Sequence, residues 1–245
     1  MGPNENVGAN ISQFHTDVGL SEETPLFDEV DSQMLSFMKK ERLGGPLYQW
    51  YETRFLPDEY GISPIDRVIS RFVLGRFGTD KRIIEVGAGF GQCCILLSAH
   101  GVETVPIEVD ATNFERLGRA IELVAEKIDG AIAERCSPFY GEYPADALHL
   151  VDGDSILMFP SLTWTMTEEE EDRLFDSLRL AKGVILGKRI FFRVREEEEE
   201  REEMIGRIMD LGFGEPETIM GWDDWNFGFA PDSLVFMENQ GINST

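Results

Sequence analysis

The sequence predicts an α/β fold: a doubly wound, mostly parallel seven-stranded sheet with a C-terminal antiparallel hairpin and an N-terminal helical extension. Three observations predict it. Strand-like and helix-like segments alternate five times along the central part of the chain. The alternation opens on a turn carrying three glycines at every second position directly after an apolar run. It closes on two strands with no room for a helix between them, which must therefore pair antiparallel. The boundary falls near residue 62, with residues 1–62 as an N-terminal arm and helical lid and residues 63–245 as the core.

The elements follow in order. Residues 1 to 25 are polar and aperiodic and predict a mobile arm. From Pro25 to Lys40 the residues Leu26, Phe27, Val30, Met34, Leu35 and Met38 recur at helical spacing, and Gly44-Gly45-Pro46 ends that helix. A second helix is expected over Leu47 to Phe55, and Leu56 to Ser63 reads as a loop. Ser63-Pro64 then starts a helix that runs to about Phe77, with serine as cap and proline in the first turn. Ile83 to Val86 suit a buried strand, and a helix begins near Gln92. Val102 to Val109 is the second strand, and Ala111 to Ile128 is a crossover helix with Phe114, Leu117, Ile121, Val124 and Ile128 on one face.

The third strand has two readings. Ser137 to Tyr143 leaves Ser155 to Phe159 free as the fourth strand and is preferred; Ala147 to Val151 is the alternative. Glu168 to Leu180 is a helix, Val184 to Phe192 a fifth strand, and Glu196 to Leu211 a helix capped by Gly212. Glu217 to Met220 and Ser233 to Glu238 are the closing pair.

Composition sets bounds on function. The formal charge is −24, from 22 Lys and Arg against 46 Asp and Glu, so the chain repels phosphate backbones, and no basic cluster offsets this. Nucleic acid is not expected as a partner. The acidic runs Glu168 to Asp172 and Glu196 to Glu203 read as solvated helix faces. No apolar run reaches the roughly 20 residues of a membrane span, so a cytoplasmic protein without membrane contact is expected. Cys93, Cys94 and Cys136 read as buried thiols of a reducing compartment. His100 is expected to be structural, His149 lies in a loop, and His15 sits on the arm.

The informative stretch is Arg82 to Gln92, R-I-I-E-V-G-A-G-F-G-Q. Gly87, Gly89 and Gly91 permit positive φ and remove the Cβ atoms that would obstruct a ligand, while the following helix start offers unpaired N–H groups. The glycines run G-x-G-x-G rather than the G-x-G-x-x-G of a dinucleotide site. Glu85, just before the turn, suits a cationic group and would repel a phosphate. Glu108 ends the second strand 21 positions after Gly87, where a carboxylate meets ribose hydroxyls.

E-V-G-A-G-F-G at 85 to 91 and I-E-V-D at 107 to 110 resemble the class I S-adenosylmethionine-dependent methyltransferases, and the order of elements extends the resemblance from residue 65 to residue 240. The resemblance implies S-adenosylmethionine as cofactor. It implies that Gly87, Ala88, Gly89 and Gly91, flanked by Glu85 and Gln92, hold the methionine part, and that Glu108 with Val109 meets the ribose. Glu142 and Tyr143 would lie near the adenine amino group, a role that passes to Asp152 or Asp154 under the alternative third strand. Phe159 would lie beside the transferring methyl group.

In that family the acceptor pocket is built from N-terminal helices and from loops after the fourth and sixth strands. Tyr48, Tyr51, Glu52 and Trp164 are therefore the candidate substrate residues. They form an aromatic wall with a carboxylate, suited to an amine or another cation. No base-methylation motif follows the fourth strand, and the Asp-Asn pair of a catechol-type magnesium site is missing after the fifth, so no metal is expected. Methyl transfer to oxygen or nitrogen of a small molecule is the leading expectation. An aminopropyltransferase-like enzyme and a non-catalytic cofactor-binding domain are the alternatives. Whether copies of the chain associate is left open.

Overall fold

The computed structural model of the chain describes residues 25–41, 61–159, 167–187, 197–220 and 234–241. The first stretch is helix α1 (Pro25–Glu41), whose Phe27, Val30, Met34, Phe37 and Met38 line one buried face. Helix α2 (Pro64–Phe77) starts as its sequence dictates. The Ser63 side chain accepts from the Asp66 N–H, and Pro64 stands in the first turn, where no N–H is needed.

The remaining elements are β1 (Arg82–Val86), α3 (Gln92–Ala99), β2 (Thr104–Glu108), α4 (Ala111–Lys127), α5 (Ala131–Arg135), β3 (Phe139–Tyr140), β4 (Ser155–Phe159), α6 (Glu168–Leu178), β5 (Gly183–Leu186), α7 (Glu197–Asp210), β6 (Glu217–Met220) and β7 (Leu234–Glu238). The strands form one seven-stranded sheet in the order β3-β2-β1-β4-β5-β7-β6. β1 to β5 run parallel, while β7 is antiparallel to both β5 and β6. The strand order reverses between β1 and β4, which opens a crevice above their carboxyl ends.

Helices cover both faces, which is why the central strands are mostly apolar, with Glu85 the charged exception inside β1. Ile84, Val86, Leu157, Phe159, Val184 and Leu186 pack under α6 and α7 with Leu174, Phe175, Met204 and Ile208. The alternate residues Ile83, Ile156, Met158 and Ile185 pack under α2 and α3 with Val68, Ile69, Val73, Cys93 and Leu97. A third cluster joins α1 to α3, α4 and α5. α6 and α7 are tied further by Arg207, which pairs with Glu171 and Asp172 and lies over the Phe175 ring at 3.8 Å. The rest of the described α6 acids, Glu169, Glu170, Asp172 and Asp176, are exposed.

Three local features differ from the sequence expectation. β5 ends at Leu186 rather than continuing through Gly187, while residues 188–192 of that expected strand and the expected helix at 47–55 lie outside the described residues. β3 is only two residues long, preceded by a parallel bridge between Thr104 and Cys136. The chain leaves the sheet because the Glu142 N–H donates to the Asp146 carboxylate at 3.0 Å while the Asp146 N–H returns to the Glu142 carbonyl at 2.8 Å. The alternative strand at 147–151 is instead a 3-10 turn over Leu148–Leu150. The five-residue α5 was not expected, because a segment so short shows no period.

α1 is held to the core by close backbone approach and by a partly buried ion pair. A Cβ added at Gly61 would lie 2.1 Å from the Asp31 carbonyl oxygen and 2.3 Å from the Leu35 nitrogen. Next to it, Asp31 Oδ1 accepts from the Ile62 N–H and from Arg67 Nη2, each at 2.7 Å, and Arg67 Nε donates to the Ile62 carbonyl at 3.2 Å. Gly61→Ala is expected to lower stability by about 1–3 kcal/mol through overpacking, read as a reduced urea midpoint at unchanged m-value. An unchanged midpoint would show that the two backbones part easily.

Candidate functional site

The glycine turn lies at the carboxyl end of β1, beside the reversal of strand order. Gly87, Gly89 and Gly91 have φ of 74°, 57° and 69°, all in the region glycine favours. The Gly87 and Ala88 N–H groups both donate to the Ile107 carbonyl at 3.0 Å, fastening the turn to β2. An added Cβ at Gly91 would also lie 2.3 Å from Leu117 Cδ1 on α4, so that side chain would have to give way.

Glu108 reaches back to this turn. Its Oε2 accepts from the Gly89 N–H at 2.9 Å, and its Oε1 accepts from the Val109 and Asp110 N–H groups, both at 2.9 Å. A carboxylate offers about four acceptor positions, so one on Oε2 is left for a ligand hydroxyl. Burial raises the Glu108 pKa, and the three N–H donors oppose that rise. Val109, the next residue, is 58% exposed.

β3 pairs Tyr140 with Glu108 in register, and Tyr140 is 54% exposed with its ring 5.3 Å from that of Phe114. Val109 and Tyr140 thus put an open apolar surface beside the Glu108 carboxylate. The sequence reading passed over Tyr140, since only the pairing register shows that it neighbours Glu108.

The other candidates spread over several environments. Gln92 is buried, and its amide donates to the Gly61 carbonyl and lies 3.6 Å from Met38 Sδ, so it serves the contact with α1. Glu142 is exposed beyond β3. Tyr143 turns into the core at 1% exposure, sharing a 2.8 Å hydrogen bond with Ser177 and packing edge-on against Phe159. Burial pushes its phenol well up. Phe159 is itself buried in the layer under α6 and α7.

Asp152 and Asp154 lie at the opposite, amino end of the sheet, where they pair with Arg82 and with Lys81 (2.6 Å). Tyr48, Tyr51, Glu52 and Trp164 lie outside the described residues, as does His15. The His100 ring meets the Leu96 carbonyl at 2.9 Å at the end of α3, and His149 packs on Phe139. All three cysteines are buried free thiols, with Cys136 pushed up to about 11 by desolvation.

Glu85 is the unusual group. Strand alternation turns it to the α2 and α3 side, where it is 4% exposed and its Oε2 has no hydrogen-bond partner. Desolvation, then repulsion from Asp66, raises its pKa to about 8, with hydrogen bonding from Cys94 opposing the rise. A buried carboxyl raised from 4.5 to about 8 is bound to its proton more tightly in the folded chain than in the unfolded one. Its contribution to stability is therefore complete below the unfolded value and lost as pH rises through the folded one. The stability of Glu85→Gln relative to the parent is expected to rise between about pH 5 and about pH 8, measured by urea unfolding of both proteins. An offset equal at both pH values would mean that Glu85 titrates normally.

An orphaned carboxylate oxygen, a turn of bare backbone and a second carboxylate with one open acceptor position together fit a ligand carrying a cation and a hydroxyl-bearing ring. The sequence matches no protein-family model and no curated protein. Solved structures do match. The methyltransferase domain of bacterial CtHen1-C is similar at a TM-score of 0.52 and 15% identity, covering 71% of this chain and 97% of that one. The N-terminal domain of EvdMO1 with SAH bound is similar at 0.52 and 20% identity, covering 72% and 81%. A putative RNA methyltransferase from Pyrococcus horikoshii is similar at 0.50 and 14% identity, covering 74% and 83%. The strand order, the inserted antiparallel β7 and these likenesses give the chain the fold of the class I S-adenosylmethionine-dependent methyltransferases.

Proposed function

We propose that the chain binds S-adenosylmethionine and transfers its methyl group to an oxygen or nitrogen of a small molecule, an amine included. The observation that carries this reading is the junction of the glycine turn with Glu108 through the Gly89 N–H, at the place where the strand order reverses. The bound cofactor would supply an electrophilic methyl group on a sulfonium centre. The chain's own residues hold and orient it. Glu85 faces the ammonium group, Gly87 to Gly91 leave room for the methionine part, Glu108 accepts from a ribose hydroxyl, and Val109 and Tyr140 flank the adenine.

The direct displacement needs an acceptor held in line about 3 Å from the methyl carbon more than it needs a strong catalytic side chain. A charge of −24 favours a small or cationic acceptor over a phosphate backbone. Tyr48, Tyr51 and Glu52, with Trp164, are proposed as the acceptor site within a lid formed by residues 1–62. No metal is needed for this step, and a cytoplasmic location is proposed. Among the described residues no helix is long and apolar enough to cross a membrane.

Calorimetry with S-adenosylmethionine, S-adenosylhomocysteine and NAD, followed by a methyl-transfer screen against amines, phenols and carboxylic acids, tests the reading. Both adenosyl ligands are expected to bind and NAD is not. Glu108→Gln is expected to weaken S-adenosylhomocysteine binding by about ten- to a hundredfold, the loss of one charge-assisted hydrogen bond. Turnover is expected to survive chelation. Tight NAD binding without S-adenosylmethionine binding would overturn the proposal.

A further inference from the structure

The glycine turn is fastened from two sides. Its first half is held by the sheet: the Gly87 and Ala88 N–H groups donate to the Ile107 carbonyl, and the Gly89 N–H donates to Glu108. Its second half meets the N-terminal extension. Phe90, buried between Gly89 and Gly91, packs edge-on against Phe37 of α1 with ring centroids 6.4 Å apart. Gln92 donates to the Gly61 carbonyl and lies 3.6 Å from Met38 Sδ, also on α1.

The second attachment matters because local chemistry does little to define the turn there. Glycine loses more conformational freedom on ordering than any other residue, and three glycines stand between positions 87 and 91. Gly91 is the N-cap of α3 and offers no side-chain acceptor to the first helical N–H groups. Phe90 and Gln92 are the residues of this half that carry large side chains, and both reach the same neighbour.

α1 has its own anchors away from these contacts. Asp31 bridges the Ile62 N–H and Arg67, whose guanidinium lies 4.8 Å from the centroid of the Phe27 ring. At the other end of the helix, Glu41 accepts from Arg119 of α4 at 2.8 Å. Contacts strung along one helix are made and broken together when that helix opens as a unit.

We propose that α1 is a positioning element of the cofactor site: docked, it holds Phe90 and Gln92 so that the glycine turn keeps its ligand-accepting shape, and α1 docking and ligand binding therefore strengthen each other. The inference rests on the cofactor reading above, in which the turn takes the methionine part of S-adenosylmethionine. Phe37 and Met38 act through Phe90 and Gln92, as positioning residues. Linkage makes the coupling reciprocal. The factor by which undocking of α1 weakens ligand binding equals the factor by which bound ligand suppresses undocking.

The experiment is amide hydrogen exchange of the full chain with and without saturating S-adenosylhomocysteine, together with calorimetry of the same ligand. In the parent, the ligand is expected to slow exchange over α1 by about fivefold or more, and to leave the local opening of α6 unchanged. Asp31→Asn combined with Phe37→Ala removes the ion pair and the ring contact. This variant should lose exchange protection over α1 and bind S-adenosylhomocysteine about tenfold more weakly. Val235→Ala is the control for stability alone, since β7 is separated from β1 by β4 and β5. It should lower the urea midpoint and leave the affinity as in the parent.

The parent protein alone decides the matter if the double variant fails to fold. Ligand binding with unchanged α1 exchange, or an α1 without protection in a variant of parental affinity, would overturn the coupling and leave the cofactor reading standing. Failure of S-adenosylhomocysteine to bind the parent would overturn both.

Discussion

The hydrogen bond from the Gly89 N–H to Glu108 Oε2, 2.9 Å long, is the contact on which the site depends. It joins a turn that has left the sheet to the end of the neighbouring strand, and it does so with a charge-assisted bond in a buried place. The turn can hold its shape only because Gly87, Gly89 and Gly91 all take positive φ, and Gly91 in addition admits Leu117 of α4. The same geometry leaves a single acceptor position on Glu108, which limits what it can offer a ligand.

The rest of the molecule works around acidic groups in an apolar layer. The face of the sheet under α2 and α3 is otherwise lined by Ile83, Ile156, Met158 and Ile185. Glu85 stands among them with an unpartnered oxygen, a costly arrangement for folding alone. Natural chains keep such costs mainly where function requires them. The overall charge of −24 is a separate matter, since its described share on α6 is largely solvated or paired with Arg207.

The N-terminal helix belongs to this arrangement rather than to a detached appendage. α1 meets the core through Gly61, whose missing side chain lets backbone touch backbone, and through the Asp31–Arg67 pair. Gln92, the first residue of α3, completes the link by donating to the Gly61 carbonyl. The segment that follows the glycine turn is thereby tied to the segment proposed to receive the acceptor.

Much of this was legible in residue order. The alternation of apolar runs and amphipathic segments determined α1, α2, α4, β4 and the closing β6–β7 pair within a residue or two, because local periodicity and caps such as Ser63-Pro64 act over short distances. The glycine spacing and Glu108 marked the turn for the same reason. What only the tertiary structure decided were properties that depend on register and on packing between distant segments. β3 shrank because a local turn at Glu142 and Asp146 claimed the Glu142 N–H. Tyr143 went to the core while Tyr140 stayed open beside Glu108, a choice set by the pairing of β3 with β2. Gln92 was taken by Gly61 and by Met38 of α1. Such meetings arise from where a helix lands on a sheet, and no spacing along the chain encodes them by itself.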